Sequence, residues 1–269
     1  MSQSGGQVSL QVETRLISAW GISDPGKKRK YNEDAIFIDD QGKFMLVADG
    51  MGGQRNGARA SAMAIASVNR LLMPEIIDRE LADITVSGKM PPEISGLCSV
   101  VETAVLETNQ MIYRTNCLEH ETKNNFMGTT LAGVFLAPSG YIITFHIGDS
   151  RIYRLHNEKL TLMTRDHSLY QEWLESGQIA KQPKKNILTR AIGFDEYVKP
   201  DTHFSRYAKN DFYLLCSDGL TNMLPERRIE AVLTRHCNSF DCADVLVKEA
   251  NANGGADNIS VVVCRIKHS

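Results

Sequence analysis

Aspartates recur where apolar runs of this sequence begin or end. Asp34 opens the run Ala35 to Ile38, and Asp49 closes Lys43 to Ala48. Asp149 stands in the turn after Tyr141 to Ile147, Asp218 closes Asp211 to Ser217, and Asp257 opens Asn258 to Ile266. One such aspartate is a turn former, since Asp-Gly pairs favour tight turns. Five at strand ends permit something else: if the strands pack as two sheets, these ends can meet on one rim. Two carboxylates about 4 Å apart repel by about 1 kcal/mol in water and about 4 kcal/mol at an effective dielectric of 20. Gathering them therefore calls for cations or shared protons. All-oxygen ligation without His or thiolate selects hard ions, Mg²⁺ or Mn²⁺. Gly50 has no side chain, so its carbonyl can reach the same ion while Asp49 bridges two.

The elements that must position these groups follow from periodicity. Strand-like text begins at Val12 and includes Leu16 to Trp20, after which Gly21 to Lys30 reads as a Gly/Pro/basic loop. Runs split by Asp-Gly turns over residues 35–50 are hairpin signals. Gly57 to Met73 and Leu97 to Cys117 carry the three-to-four spacing of amphipathic helices, joined by a Pro74 to Gly96 connector that is at least partly loop. Residues 131–136, 141–147, 151–155 and 159–163 read as a strand meander. Ser168 to Gly177 reads as a short helix, and residues 178–186 as an exposed polar and basic tip. A strand over 211–216, helices over 225–236 and 241–252, and a strand over 258–266 complete the chain. Strands and helices fall in separate blocks, which favours an α+β layered domain with largely antiparallel sheets over a doubly wound one.

Composition narrows the function classes. The 269 residues carry 30 Lys+Arg against 32 Asp+Glu, so no whole-protein charge favours nucleic acid or an anionic membrane. The six cysteines, at 98, 117, 216, 237, 242 and 264, show no metal or redox spacing, and predict reduced thiols in a cytoplasmic protein. Met1 to Gln11 is polar, reads as a flexible tail and lacks a signal-peptide core; no apolar run reaches the roughly 18 residues of a membrane span. Gly21 to Lys27 starts like a phosphate loop but continues with Lys28 where Ser or Thr is needed. Gly50-Met51-Gly52-Gly53 has Arg55 where the dinucleotide fingerprint needs glycine, and Gly148-Asp149-Ser150-Arg151-Ile152 lacks the last glycine of a nucleophile elbow. Covalent catalysis by Ser or Cys thus has no support.

Seven segments occur in an order that carries a resemblance: Arg29-Lys-Tyr-Asn-Glu-Asp34-Ala35, Val47-Ala-Asp49-Gly50-Met51-Gly-Gly53, Met127-Gly-Thr-Thr130, His146-Ile-Gly-Asp149-Ser-Arg151, Leu188-Thr-Arg-Ala-Ile-Gly193, Cys216-Ser-Asp218-Gly-Leu220 and Asp257-Asn-Ile-Ser-Val-Val262. Together they resemble the motif set of the metal-dependent Ser/Thr protein phosphatases (type 2C), in its bacterial branch, across residues 12–267. The resemblance implies a four-layer αββα sandwich, two antiparallel β-sheets flanked by helices, with 12–267 as a single catalytic domain and a flap at about 168–187. It implies two Mn²⁺ or Mg²⁺ ions and a third, weaker site. By motif match Asp49 bridges the metals, the Gly50 carbonyl joins one, Asp34, Asp218 and Asp257 complete the set directly or through water, and Asp149 serves the third ion with Asp218. Arg29 matches the residue that holds the substrate phosphate, a task suited to a planar fork of donors.

The implied reaction is hydrolysis of phosphoserine and phosphothreonine in proteins by a metal-bridging hydroxide, without a phosphoenzyme. Two metals about 3.5–4 Å apart lower the pKa of a bridging water and offset phosphate charge for in-line attack. Phosphorylated proteins are then the substrates and a Ser/Thr kinase the counterpart, with no nucleic-acid or membrane partner. One departure stands out: Met51 occupies the place where many eukaryotic members carry a proton-donating His, so a metal-bound water must serve. His146 and His167 read as packing or turn residues, and Lys184-Lys185 as a solvated tip beside the cleft. A catalytically silent scaffold of the same fold, and a structural domain whose Asp-Gly sites are merely turns, are the alternatives.

Overall fold

The computed structural model describes residues 6–52, 56–74, 76–77, 91–179, 181–235 and 241–268. Its first sheet has the order β1 (Val8–Glu13), β2 (Ile17–Asp24), β12 (Ile259–Ile266), β11 (Phe212–Cys216), β8 (Arg151–His156) and β9 (Lys159–Leu162). The second has the order β10 (Asp201–Arg206), β7 (Tyr141–Ile147), β6 (Leu131–Ala137), β4 (Phe44–Met51) and β3 (Asp34–Ile38), with the two-residue β5 (Gly128–Thr129) on β4. Every pairing is antiparallel.

Two-residue periodicity explains the layering, because successive side chains leave opposite faces of a strand. On β4, Met45 and Val47 enter the core between the sheets, where they join Ala132, Val134, Leu215, Val262 and Cys264. Their neighbours Leu46 and Ala48 face outward onto α1 (Asn56–Leu71) and α2 (Pro92–Glu119), through Ala60, Ala64, Val68, Val101 and Val105. On the other sheet Val261 and Val263 meet Ile229, Val232 and Leu246 of α5 (Glu226–Arg235) and α6 (Cys242–Ala252). Two further helices are short: α3 (Leu169–Glu175) and α4 (Asp218–Thr221). The expected helix–sheet–sheet–helix sandwich is what forms.

Three local expectations are corrected. The tail expected over 1–11 is strand from Val8 onward, with Val8 paired to Ser23 and Glu13 to Ser18; Leu10 and Val12 pack on the inter-sheet core, and the alternation of Val8, Leu10 and Val12 with Ser9, Gln11 and Glu13 is the two-residue period of a half-buried strand. The loop expected from Gly21 is strand as far as Asp24. Gly21 is there because sheets approach closely: a Cβ would lie 3.1 Å from the Ile36 methyl and 3.3 Å from that of Val262. The polar edge strand β10 was not legible as a strand. Residues 78–90, most of the expected connector, lie outside those described; Pro92, expected in that connector, starts α2, where its missing N–H costs nothing.

Phe145 illustrates how tightly the helix-facing layer is filled, since a Cβ at Gly133 would stand 2.2 Å from its ring. Phe145→Ala is expected to cost about 3–5 kcal/mol of stability, measured by urea denaturation of both proteins at one pH.

Candidate metal-binding active site

Antiparallel pairing decides where the aspartates go, because the end of one strand lies beside the start of its neighbour. Asp34 and Asp49 are direct cross-strand partners on β3 and β4. Asp218 follows β11 and Asp257 precedes β12, and those strands are also paired. Asp149 sits in the turn between β7 and β8, which belong to different sheets. All five reach one rim of the sandwich. A cleft of about 250 Å³ there is lined by Arg29, Asp49, Gly50, Met51, Asp149, Asp218 and Asp257. Asp34 is not part of that lining but pairs across the strands with Asp49 and acts on its charge.

The backbone around the cleft is held by buried polar contacts. The Asp49 N–H donates to Thr130 Oγ1 at 3.0 Å, and its carbonyl accepts from Thr129 Oγ1 at 2.9 Å. Gly50 is required: a Cβ would stand 2.1 Å from the Gly57 carbonyl oxygen and 2.5 Å from that of Glu33. Ser217 Oγ donates to Asp34 Oδ2 at 2.8 Å. Asn222 Nδ2 donates to Asp218 Oδ2 at 3.0 Å. Asn258 accepts the Glu33 N–H at 2.8 Å and donates to the carbonyls of Pro25 and Tyr31, both at 2.9 Å, tying the Arg29 loop to β12.

The carboxylates are electrostatically frustrated. Burial, then repulsion from Asp34, Asp218 and Asp149, pushes the Asp49 carboxyl well above the usual range. Burial pushes Asp34 up to about 7, against the lowering influence of Ser260 and Ser217 and with repulsion from Asp218 and Asp257. Asp149 is likewise raised to about 7 by burial and by Asp218. Asp218 is raised by burial and by Asp257. Ser217 bonds Asp34 Oδ2, and among the described residues the buried Asp34 Oδ1 has no hydrogen-bond partner. A hard cation fits this donor set on two counts: it satisfies an orphaned oxygen and offsets like charges in one place.

Arg29 stands on the rim, its side chain half exposed, and Nη2 donates to Asp257 Oδ2 at 2.7 Å. That contact raises the guanidinium pKa further, so Arg29 keeps its charge. Met51 lines the cleft where it can donate no proton. Five lining residues lie within the seven motif segments but carry no role there: Glu33, Gly52, Thr130, Leu188 and Asn258. Asn186 was placed only in the basic tip; nothing in its local sequence marks it. His146 and His167 are buried away from the cleft lining, with rings stacked at a centroid distance of 4.5 Å. Lys184 and Lys185 are exposed, and Lys185 Nζ lies 5.1 Å from the Tyr170 ring centroid.

Residues 27–250 match the family model described as protein phosphatase 2C. The chain belongs to the protein phosphatase 2C family. It is 38% identical over 251 residues to the serine/threonine phosphatase stp of Listeria innocua, covering 90% of this chain and 92% of that one. It is 34% identical over 250 residues to the protein phosphatase PhpP of Streptococcus pneumoniae, covering 90% and 94% respectively. The serine/threonine phosphatase PstP/Ppp of Mycobacterium tuberculosis superposes with a TM-score of 0.77 at 29% identity, covering 94% of this chain and 100% of that one. A structure of the PstP catalytic domain in complex with two manganese ions superposes with a TM-score of 0.76 at 29% identity, covering 94% and 99%. The chain is accordingly a serine/threonine protein phosphatase with bacterial relatives, acting on phosphoproteins. Among its described residues no helix is long and apolar enough to cross a membrane.

The raised carboxyls give this phosphatase a pH signature when it is free of metal. A folded pKa near 7 against about 3.8 unfolded means the native state binds more protons between those values, so stability falls as pH rises through that window. In chelator, thermal melting is expected to drop from pH 4.5 to pH 8, and Asp34→Asn is expected to flatten the drop. A wild-type melting temperature that instead climbs over this range contradicts the assigned burial of charge.

Proposed function

We propose that this phosphatase hydrolyses phosphoserine and phosphothreonine at the carboxylate rim. The observation that carries the reading is the cluster itself: Asp34, Asp49 and Asp218 crowd together with raised pKa values, and one buried oxygen has no partner among the described residues. Asp34, Asp49, Asp218, Asp257 and the Gly50 carbonyl would hold two Mn²⁺ or Mg²⁺ ions, and Asp149 would serve a weaker third site. When bound, these ions supply the positive charge and the activated water that phosphate-monoester hydrolysis demands.

The chain's own residues do the rest. Arg29 presents a forked set of donors at the mouth of the cleft, suited to two phosphate oxygens at once. Its bond to Asp257 fixes the guanidinium over the acidic floor. Thr130 and Asn258 hold the backbone of Asp49 and of the Arg29 loop, so that the ligands stay close despite their repulsion. Met51 leaves proton delivery to the leaving oxygen to another group in the cleft. We assign residues 168–187 to a flap, supported by Asn186 on the cleft wall. Residues 12–267, extended by β1, would act as one catalytic domain in the cytoplasm, opposed to a Ser/Thr kinase.

Turnover of a phosphothreonine peptide tests these roles. Asp218→Asn is expected to lower kcat on the order of 10²–10³-fold and weaken Mn²⁺ binding with the fold intact, in line with several kcal/mol of charge stabilisation. Unaltered turnover removes the metal assignment, and metal binding without any turnover in the wild type favours a silent scaffold. Arg29→Ala is expected to raise KM about 10–100-fold, the loss of a charge-assisted hydrogen-bond pair, with Arg29→Lys restoring only part of it. An unmoved KM places the phosphate elsewhere.

A further inference from the structure

Asp149 has a support of its own, built from the segment that leads into residues 168–187. Gly148 adopts φ 99°, which turns its N–H inward to donate to His167 Nδ1 at 3.1 Å. The His167 N–H returns a bond to the Gly148 carbonyl at 2.9 Å, so the two residues close a ring. On the other side of Asp149, Arg151 grips Asp166 with two parallel bonds of 2.9 and 2.8 Å. Ser150, between them, meets Thr130 Oγ1 at 2.6 Å, and Thr130 is the residue that holds the Asp49 N–H. Asp149 therefore rides on a turn clamped before and after by two consecutive residues, Asp166 and His167.

His167 is suited to this and to little else. It is buried, and the acceptor role of Nδ1 places its proton on Nε2, which faces Asp201 Oδ2 at 3.3 Å. Arg190 holds the other oxygen of Asp201 at 2.7 Å. Burial, His146 and Arg190 lower the His167 pKa to about 4, so the ring stays neutral. His146, His167 and Asp201 converge closely enough to be considered as a metal site, but a protonated Nε2 is a donor, and moving that proton to Nδ1 would set two N–H groups against each other at Gly148.

We propose that His167 is a positioning residue: with Asp166 it fixes the Asp149 turn and so sets the affinity of the cation held there. Removing the acceptor leaves a buried Gly148 N–H without a partner, which favours another turn conformation. Groups that orient ligands in this way are commonly worth about 10–100-fold in metal affinity. The inference rests on Asp149 being a ligand.

The His167→Asn and His167→Gln variants separate the acceptor from mere bulk. Asn places its oxygen near the position of Nδ1, whereas Gln reaches toward that of Nε2. In Mn²⁺ calorimetry, His167→Gln is expected to weaken the weakest binding step by about tenfold or more, with the Mn²⁺ needed for half-maximal turnover rising in parallel. Phosphopeptide KM at saturating metal should stay within about threefold, and His167→Asn should stay near wild type. Asp166→Asn should act in the same direction as His167→Gln. Equal behaviour of Asn and Gln, or losses spread evenly over all binding steps, overturns the proposal. Amide hydrogen exchange over residues 148–151 reads the clamp without metal: faster exchange in Gln than in Asn is expected, and no difference refutes the clamp. If the clamp passes but Asp149→Asn leaves every binding step unchanged, the ligand reading has failed instead, and the claim about cation affinity fails with it.

Discussion

Repulsion among buried carboxylates is the constraint around which this protein is organised. Asp34, Asp49, Asp149 and Asp218 all hold raised pKa values in one small region. No folding energy is gained by bringing them there. The inter-sheet core and the two helix-facing cores stabilise the sandwich by apolar burial, and part of that stability offsets the cost of the acidic rim. A functional site that works against stability is where local rules of folding are expected to be broken.

The rim stays in place because neutral side chains hold both its backbone and its carboxylates. Thr130 takes the Asp49 N–H, Asn222 reaches Asp218, and Ser217 reaches Asp34. Asn258 makes three bonds that stitch the loop of Arg29 and Glu33 to the start of β12. These are neutral donors and acceptors. They fix geometry without cancelling the negative charge, which leaves that charge available for cations and for Arg29. His167 and Asp166 extend the same arrangement to Asp149 from outside the cleft.

Much of the architecture could be read from the chain before any coordinates. The continuous apolar runs of β4, β6 and β12 are strong signals because these strands are buried on both faces, and the helical spacing of α1 and α2 is strong because each helix buries one face. The misreadings have different causes. β10 (Asp-Thr-His-Phe-Ser-Arg) has no two-residue apolar period, β1 keeps a strict one inside an otherwise polar terminus, and in β2 a glycine that looks like a loop signal serves close sheet packing. The motif aspartates stood out at the ends of apolar runs, two of them in Asp-Gly pairs, whereas Ser217 contributes through Asp34, 183 positions away, and Asn186 through its place on the cleft wall, neither of which leaves a local trace.

The sequence alone determined which chemistry is possible. Oxygen donors without histidine or thiolate point to hard cations, and no motif offers a nucleophile; phosphate hydrolysis and the part of Arg29 come from the resemblance carried by the seven ordered segments, in which Met51 removes one proton donor. Tertiary structure alone decided the rest. Asp34 becomes the cross-strand partner of Asp49 only once β3 and β4 pair. Asp257 meets Arg29, 228 positions away, only when β12 closes between β2 and β11. The pKa values move because burial and proximity are properties of the assembled fold, while side-chain types and their order are properties of the chain.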